Sequence, residues 1–172
     1  MMTDTLITTY LQMTHPTQFK PAYLEHTPFT MILPVSSPDV DYYLFLYRSV
    51  GEKWRWRDRL LMPRDELQAI LNSDHTSWWV LHQQGAPAGY IELHRQETSI
   101  EIAYFGLREA YIGQGLGKHL LSFGIEQAWQ MGAQRVWVHT CNLDSPHALA
   151  NYQARGFQVY QVTEEPMPAT YL

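Results

Sequence analysis

The chain has one cysteine, Cys141, in 172 residues. A single thiol excludes a disulfide framework and any multi-cysteine zinc or iron–sulfur site, and it fits a reducing compartment. No apolar run approaches the ~18 residues that span a bilayer. The first residues, MMTDTLITTYLQM, lack a basic start followed by an apolar block, so they do not read as a secretory signal. Basic residues are also scarce: Lys and Arg total 12 against 17 Asp and Glu, for a formal net charge of −5. A mildly acidic chain is a poor general binder of polyanions, and neither nucleic acid nor membrane is expected as a partner. The eight histidines show no H-x-H or H-E-x-x-H spacing, so no metal is expected. No internal repeat, low-complexity tract or linker divides the sequence. With 45% hydrophobic and 17% charged residues it is not disordered as a whole, and its length suits one domain. These observations describe a soluble, cytoplasmic single domain over 1–172.

The first third reads as irregular. Pro16, Pro21, Pro28, Pro34 and Pro38 block long regular elements over 15–38. Tyr10–Met13 fits a first strand. Ser37-Pro38-Asp39 starts a helix over Val40–Val50, with Gly51 as its stop, and Pro63 opens a short helix over Arg64–Leu71 that Asn72 ends. Trp78–His82 reads as a strand and Gly85-Ala86-Pro87 as a turn. Gly89–Arg95 and Ser99–Leu107 then form a hairpin. Beyond it the order becomes strand, glycine turn, helix, strand, helix, strand. Leu116, Leu120, Leu121, Ile125 and Ala128 recur at helical spacing, with Gly132 as the C-terminal stop. Arg135–Thr140 is a strand, Asp144-Ser145-Pro146 a helix start, Gly156 that helix's end, and Phe157–Val162 the last strand. The expected class is mixed α/β on a sheet that is antiparallel early and gains a parallel pair later.

Tyr111-Ile112-Gly113-Gln114-Gly115-Leu116-Gly117-Lys118 carries the most chemistry. Three alternating glycines stand between a strand and an amphipathic helix. Glycine lets backbone N–H groups turn toward one point, and the first turn of a helix adds unpaired N–H groups with a partial positive charge. Together these can cradle a phosphate or pyrophosphate, with Lys118 as an added cation. A tight turn with no ligand is the plain alternative. The G-x-G-x-x-G dinucleotide fingerprint does not fit, because position 118 is Lys, and no Gly-Lys-Ser/Thr supplies a Walker loop.

From about Ser77 to Val162 the chain resembles the GNAT superfamily of N-acetyltransferases. Gly115-Leu116-Gly117 and the following Lys118-x-Leu120-Leu121 match that family's acetyl-CoA loop, although Ile112 stands where Arg or Gln is usual. Asn142 with Ala148-x-x-x-Tyr152-x-x-x-Gly156-Phe157 resembles its second cofactor motif. The resemblance implies a mostly antiparallel central sheet with a splayed parallel pair and helices on both faces. Residues 76–165 would bind acetyl-CoA and 1–75 would supply acceptor-side and N-terminal elements. It also implies direct transfer of an acetyl group to a primary amine of a small molecule or peptide. A non-catalytic acyl-CoA-binding regulatory domain of the same fold is the alternative, and a homodimer stays open. The pyrophosphate would rest on Ile112–Lys118 and the pantetheine arm along Phe105, Gly106 and Leu107. Asn142 would bond that arm or order its strand end, and Tyr152 would protonate the sulfur, unless it is only a core aromatic.

The base and the acceptor site are less determined. A two-residue turn at Glu97-Thr98 sets His94 opposite Glu101 and Glu92 opposite Ala103, all on one face. Glu101 is fourteen residues before Gly115, a spacing like that of family members with a base Glu on this strand. Solvent-facing charge is the alternative for Glu101 and for His94, and an ordered water is a further candidate base. Trp54, Trp56 and Arg57, within Trp54-Arg55-Trp56-Arg57-Asp58-Arg59, are candidate acceptor contacts by stacking and pairing. They fit equally a segment with both Trp rings in the core. Cys141 as a nucleophile would imply a ping-pong route, which the family does not normally use.

Overall fold

Short apolar strands joined by tight turns, then two helices capped by glycine, build a seven-stranded sheet with helices on both faces. The computed structural model describes Thr5–Leu172. In chain order the strands are β1 (Thr5–Met13), β2 (Thr30–Pro34), β3 (Thr76–Gln83), β4 (Ala86–Gln96), β5 (Ser99–Leu107), β6 (Arg135–Cys141) and β7 (Gln158–Pro166). The helices are α1 (Val40–Gly51), α2 (Asp58–Leu61), α3 (Arg64–Leu71), α4 (Leu116–Gln130) and α5 (Ala148–Ala154). The sheet order is β2-β3-β4-β5-β6-β1-β7. Every neighbouring pair is antiparallel except β5 and β6.

Alternation along the central strands sends two sets of side chains to two cores. Leu93, Ile100, Ile102 and Val136 point toward α4 and α5, where they meet Leu120, Leu121, Ile125 and Tyr152. Trp78, Val80 and Tyr90 point the other way, against Tyr43, Leu46 and Tyr47 of α1 and Leu67 of α3. Each fully buried apolar side chain contributes roughly 1.5–3 kcal/mol. Asp39 starts α1: its carboxylate accepts from the N–H groups of Asp41 at 2.9 Å and Tyr42 at 3.2 Å, the N-cap expected of that residue type.

The parallel pair is short. Ser99, Ile100 and Glu101 face Arg135, Val136 and Trp137, and pairing stops there. At the same level β5 carries a bulge: Leu93 faces Ile102 but Glu92 faces Tyr104. Ala103 is therefore the extra residue, not the partner of Glu92 that a regular hairpin requires. A bulge bends its strand, and here β5 departs from β6 beyond it. The sheet opens in a V, and among the described residues β5 beyond Glu101 has no strand partner on the β6 side.

Three boundaries differ from the sequence reading. The N-terminal strand begins at Thr5 and lies inside the sheet, between β6 and β7. Only the excursion after it, over 14–28, is irregular, and it crosses α4 and α5. Ala22 N–H donates to Ser122 Oγ at 2.8 Å, Leu24 N–H to His119 Nδ1 at 3.1 Å, and Lys20 N–H to the Arg155 carbonyl at 2.9 Å. Proline-bounded Thr30–Pro34 still forms an edge strand. Finally, α5 begins at Ala148 rather than at Asp144, because the Asp144 carboxylate turns back to β6. It accepts there from Thr140 Oγ1 at 2.8 Å and Cys141 N–H at 3.1 Å. No described helix is long and apolar enough to cross a membrane.

Candidate active site

A cavity of about 660 Å³ occupies the V between β5 and β6 and opens to both sides of the sheet. On the α4 side its rim is the glycine turn. Gly113 and Gly115 have φ of 89° and 77°, a left-handed backbone that only glycine adopts cheaply. Gly115 is the N-cap of α4 without a side-chain cap, and no acidic residue lies in the first turn. The first N–H groups of a fifteen-residue helix thus have no side-chain cap among the described residues and stand at the rim. Ile112, Gly113, Gly115, Gly117 and Lys118 all line the cavity. Gln114 and Leu116 do not, and Leu116 is buried in the core.

Phe105, Gly106 and Leu107 form one wall along the unpaired part of β5. Tyr152 reaches the cavity from α5. It is 7% exposed and packs edge-on against Phe105 and Phe157. Burial first, and the Asp144 carboxylate second, push the phenol far above its ordinary value. Its hydroxyl keeps its proton and has no hydrogen-bond partner among the described residues.

Glu101 lies on the opposite face of the sheet and lines the same cavity. Its side chain is 12% exposed. Gln96 Nε2 donates to Oε2 at 3.1 Å, and His139 Nε2 stands 3.6 Å from Oε1. Burial raises the carboxyl above its ordinary value, with His139 and His94 opposing the shift. His94 faces Glu101 across the ladder, as the turn at Glu97-Thr98 requires, and also lines the cavity.

The wall beyond Glu101 is aromatic. Trp56 stacks obliquely on Tyr47 and edge-on to Tyr104, and its Nε1–H donates to Asp144 Oδ1 at 3.2 Å. Trp54 also lines the cavity, whereas Arg57 is exposed and does not. Tyr171, from the last turn of the chain, closes this side. Its hydroxyl donates to Asp58 at 3.1 Å, and its carbonyl accepts from Arg55 Nη1 at 2.9 Å. Nothing in the sequence around Tyr171 marks it for this place.

Two further sequence-derived candidates, beyond Gln114, Leu116 and Arg57, stand elsewhere or in another state. Asn142 does not line the cavity; its Oδ1 accepts from Ile7 N–H and its Nδ2 donates to the Thr5 carbonyl, both at 3.0 Å. Ordering a strand end is what its hydrogen bonds describe. Cys141 does line the cavity, but burial raises its thiol, against the depressed value of a reactive thiolate. No cluster of His, Cys, Asp or Glu suited to a metal occurs among the described residues.

The sheet is thus split between its two parallel strands, with the uncapped start of α4 on one side of the gap and ionisable side chains on the other. The chain belongs to the Acetyltransferase (GNAT) family, whose pattern matches residues 43–157. It is 30% identical over 76 residues to the Bacillus subtilis (strain 168) "Uncharacterized N-acetyltransferase YvbK", a match covering 44% of this chain and 48% of that one. It is 37% identical over 70 residues to the "Mycothiol acetyltransferase" of Corynebacterium efficiens, covering 41% of this chain and 23% of that one. The chain thus spans less than half the length of either relative. Among solved structures, a conserved Staphylococcus epidermidis protein of unknown function superposes with a TM-score of 0.69 at 17% identity, over 93% of this chain and 60% of that one. A soil-metagenome aminoglycoside acetyltransferase solved with sisomicin gives 0.59 at 19% identity, over 74% and 86%. At such identities the likeness is one of fold.

Proposed function

We propose that the protein transfers an acetyl group from acetyl-CoA directly to a primary amine of a small molecule or peptide. One observation carries this reading: a single cavity runs through the open V, with uncapped helix-terminal N–H groups at one end and Tyr152 and Glu101 along it. The fit to acetyl-CoA rests on that donor set. The N–H groups of the glycine turn and of α4 suit a pyrophosphate, and Lys118 adds charge. The unpaired edge of β5 at Phe105–Leu107 suits an extended amide-bearing arm. When bound, acetyl-CoA supplies an activated acetyl thioester.

The residues of the chain then divide the work. Backbone groups of β5 hold the arm and orient the carbonyl carbon toward the far face. Glu101 accepts a proton from the incoming ammonium, and its raised value makes it a better acceptor at neutral pH than an ordinary carboxylate. Tyr152, protonated and free of partners, donates to the departing sulfur. Trp54 and Trp56 flank the acceptor. The relatives' names support N-acetyl transfer as the reaction class, and the aminoglycoside acetyltransferase shows the fold serving an amine-bearing substrate.

The test is a panel of primary amines incubated with acetyl-CoA, followed by release of free thiol. Release that depends on one class of amine is expected. Calorimetric binding of CoA with no thiol release for any amine would favour a binding domain instead, and no heat at all would end the proposal.

A further inference from the structure

Behind the acceptor side of the cavity lies a charged cluster that this reading leaves unused. Glu92 sits mid-strand in β4 with 0% exposure, a place where an ionised carboxylate survives only with strong partners. It has three. Tyr43 Oη donates to Oε1 at 2.5 Å, Arg59 Nη2 donates to Oε2 at 3.0 Å, and His94 Nε2 bonds the same Oε2. Burial alone would raise Glu92, but the bonds from His94, Arg59 and Tyr43 outweigh it and keep it ionised. Arg59 is buried as well, with its guanidinium over the Tyr104 ring. Of the three partners, Arg59 and His94 line the cavity and Tyr43 does not; Arg59 is 6% exposed, whereas the His94 side chain is 23% exposed.

The bond to Glu92 fixes the chemistry of His94. An ionised carboxylate only accepts, so the bonded Nε2 must carry hydrogen. In the neutral ring the lone pair is then on Nδ1, which has no hydrogen-bond partner among the described residues. A buried carboxylate holding an imidazole in one tautomer is the arrangement by which a histidine is made a directed base.

The stoichiometry of the reaction calls for such a group. An ammonium that becomes an amide loses two protons from nitrogen. The first leaves before attack, for which Glu101 is the proposed acceptor. The second leaves as the C–N bond forms and the C–S bond breaks. We infer that His94 Nδ1 accepts this second proton, with Glu92 as its positioning residue and Arg59 fixing Glu92. Tyr152 gives one proton to sulfur and is reprotonated from this pool, and the other proton passes to solvent. The charged and titratable groups around His94 are Glu92 on β4, Glu101 on β5, Arg59 on α2 and, beyond Glu101, His139 on β6. The inference rests on the proposed acetyl transfer for its catalytic half, but its tautomer half stands alone.

The test has two arms. Imidazole ¹⁵N chemical shifts of the free protein, with His94 assigned by its absence in His94→Gln, are expected to show Nε2–H with an unprotonated Nδ1 at high pH. In Glu92→Gln that fixed tautomer is expected to be lost. An Nδ1–H tautomer in the wild type overturns the inference whatever the enzyme's activity. In the second arm, His94→Gln is expected to lower kcat by roughly 10–100-fold, with the KM for acetyl-CoA within about twofold. Unchanged kcat in a variant that binds CoA normally overturns the catalytic half, while absence of turnover in the wild type overturns the proposed function alone.

Discussion

Tyr152 and Glu101 lie on opposite faces of one sheet, yet a single cavity touches both, because β5 and β6 part just beyond Glu101. Tyr152 packs with Phe105 on the α5 side; Glu101 points with His94 toward α1 and α2. In the proposed reaction the separation divides the work by side: the proposed donor, Tyr152, sits in the apolar core, and the proposed acceptor, Glu101, sits among imidazoles and a carboxamide. Burial raises both groups, which keeps the phenol a donor and makes the carboxylate a stronger base.

Removing the Tyr152 hydroxyl tests the donor. Tyr152→Phe keeps the ring that packs on Phe105 and Phe157. Thiol release is expected to fall on the order of 10²-fold or more, while the calorimetric affinity for CoA stays within about twofold. Equal turnover in the two proteins would leave Tyr152 a core aromatic and nothing else.

Glu101 should be costly to the fold. Its folded value is raised by burial, so the folded state holds its proton more tightly than the unfolded chain does. Stability linked to this group is fully present below the unfolded value and is lost as pH rises through the folded one. Glu101→Gln is therefore expected to raise the melting temperature at pH 7, by about 2–4 °C if the burial costs ~1 kcal/mol, and to change it little at pH 4. The same substitution should lower thiol release at pH 7. A variant less stable than wild type at neutral pH would show the carboxylate to be stabilising and reverse the sign.

Much of this site was legible because local rules and distant contacts agree. The turn at Glu97-Thr98 is enough to set His94 against Glu101, and Gly113 and Gly115 take the positive φ that their spacing before a helix suggests. The bulge at Ala103 was not legible. No Gly or Pro marks it, and it coincides with the parting of β5 from β6, a long-range fact. Asp144 reads as an N-cap, yet its carboxylate finds Thr140 and Trp56 instead, partners invisible to local propensity. The place of β1 between β6 and β7 depends on pairing residues over a hundred positions apart. Tyr171 enters the site only through Arg55 and Asp58.

Gly156 is held by space as well as by conformation. Its φ is 105°, and a Cβ there would lie 1.8 Å from the Gln18 carbonyl oxygen. Gly156→Ala must push the 14–28 excursion off the end of α5 in addition to bearing a left-handed backbone. A loss of about 2–4 kcal/mol is expected in urea unfolding, together with faster hydrogen exchange at Lys20, whose N–H bonds the Arg155 carbonyl. A loss below ~1 kcal/mol would mean that the excursion relaxes freely.

Asn142 separates a cofactor contact from a structural one. Its side chain satisfies Ile7 N–H and the Thr5 carbonyl, and its own N–H donates to the Ile7 carbonyl at 3.1 Å. It therefore pins the start of β1 to the end of β6, beside the V but outside the cavity. Asn142→Ala removes two side-chain bonds at an exposed position, where water can replace them, so the loss should be about 1 kcal/mol, or roughly 2–4 °C in a chain of this size. Exchange of the Ile7 amide should quicken with it, and CoA affinity should hold within about twofold. A drop in CoA affinity of tenfold or more, at unchanged melting temperature, would instead move Asn142 from the frame of the V to its lining, and would require the end of β6 to rearrange when the coenzyme binds.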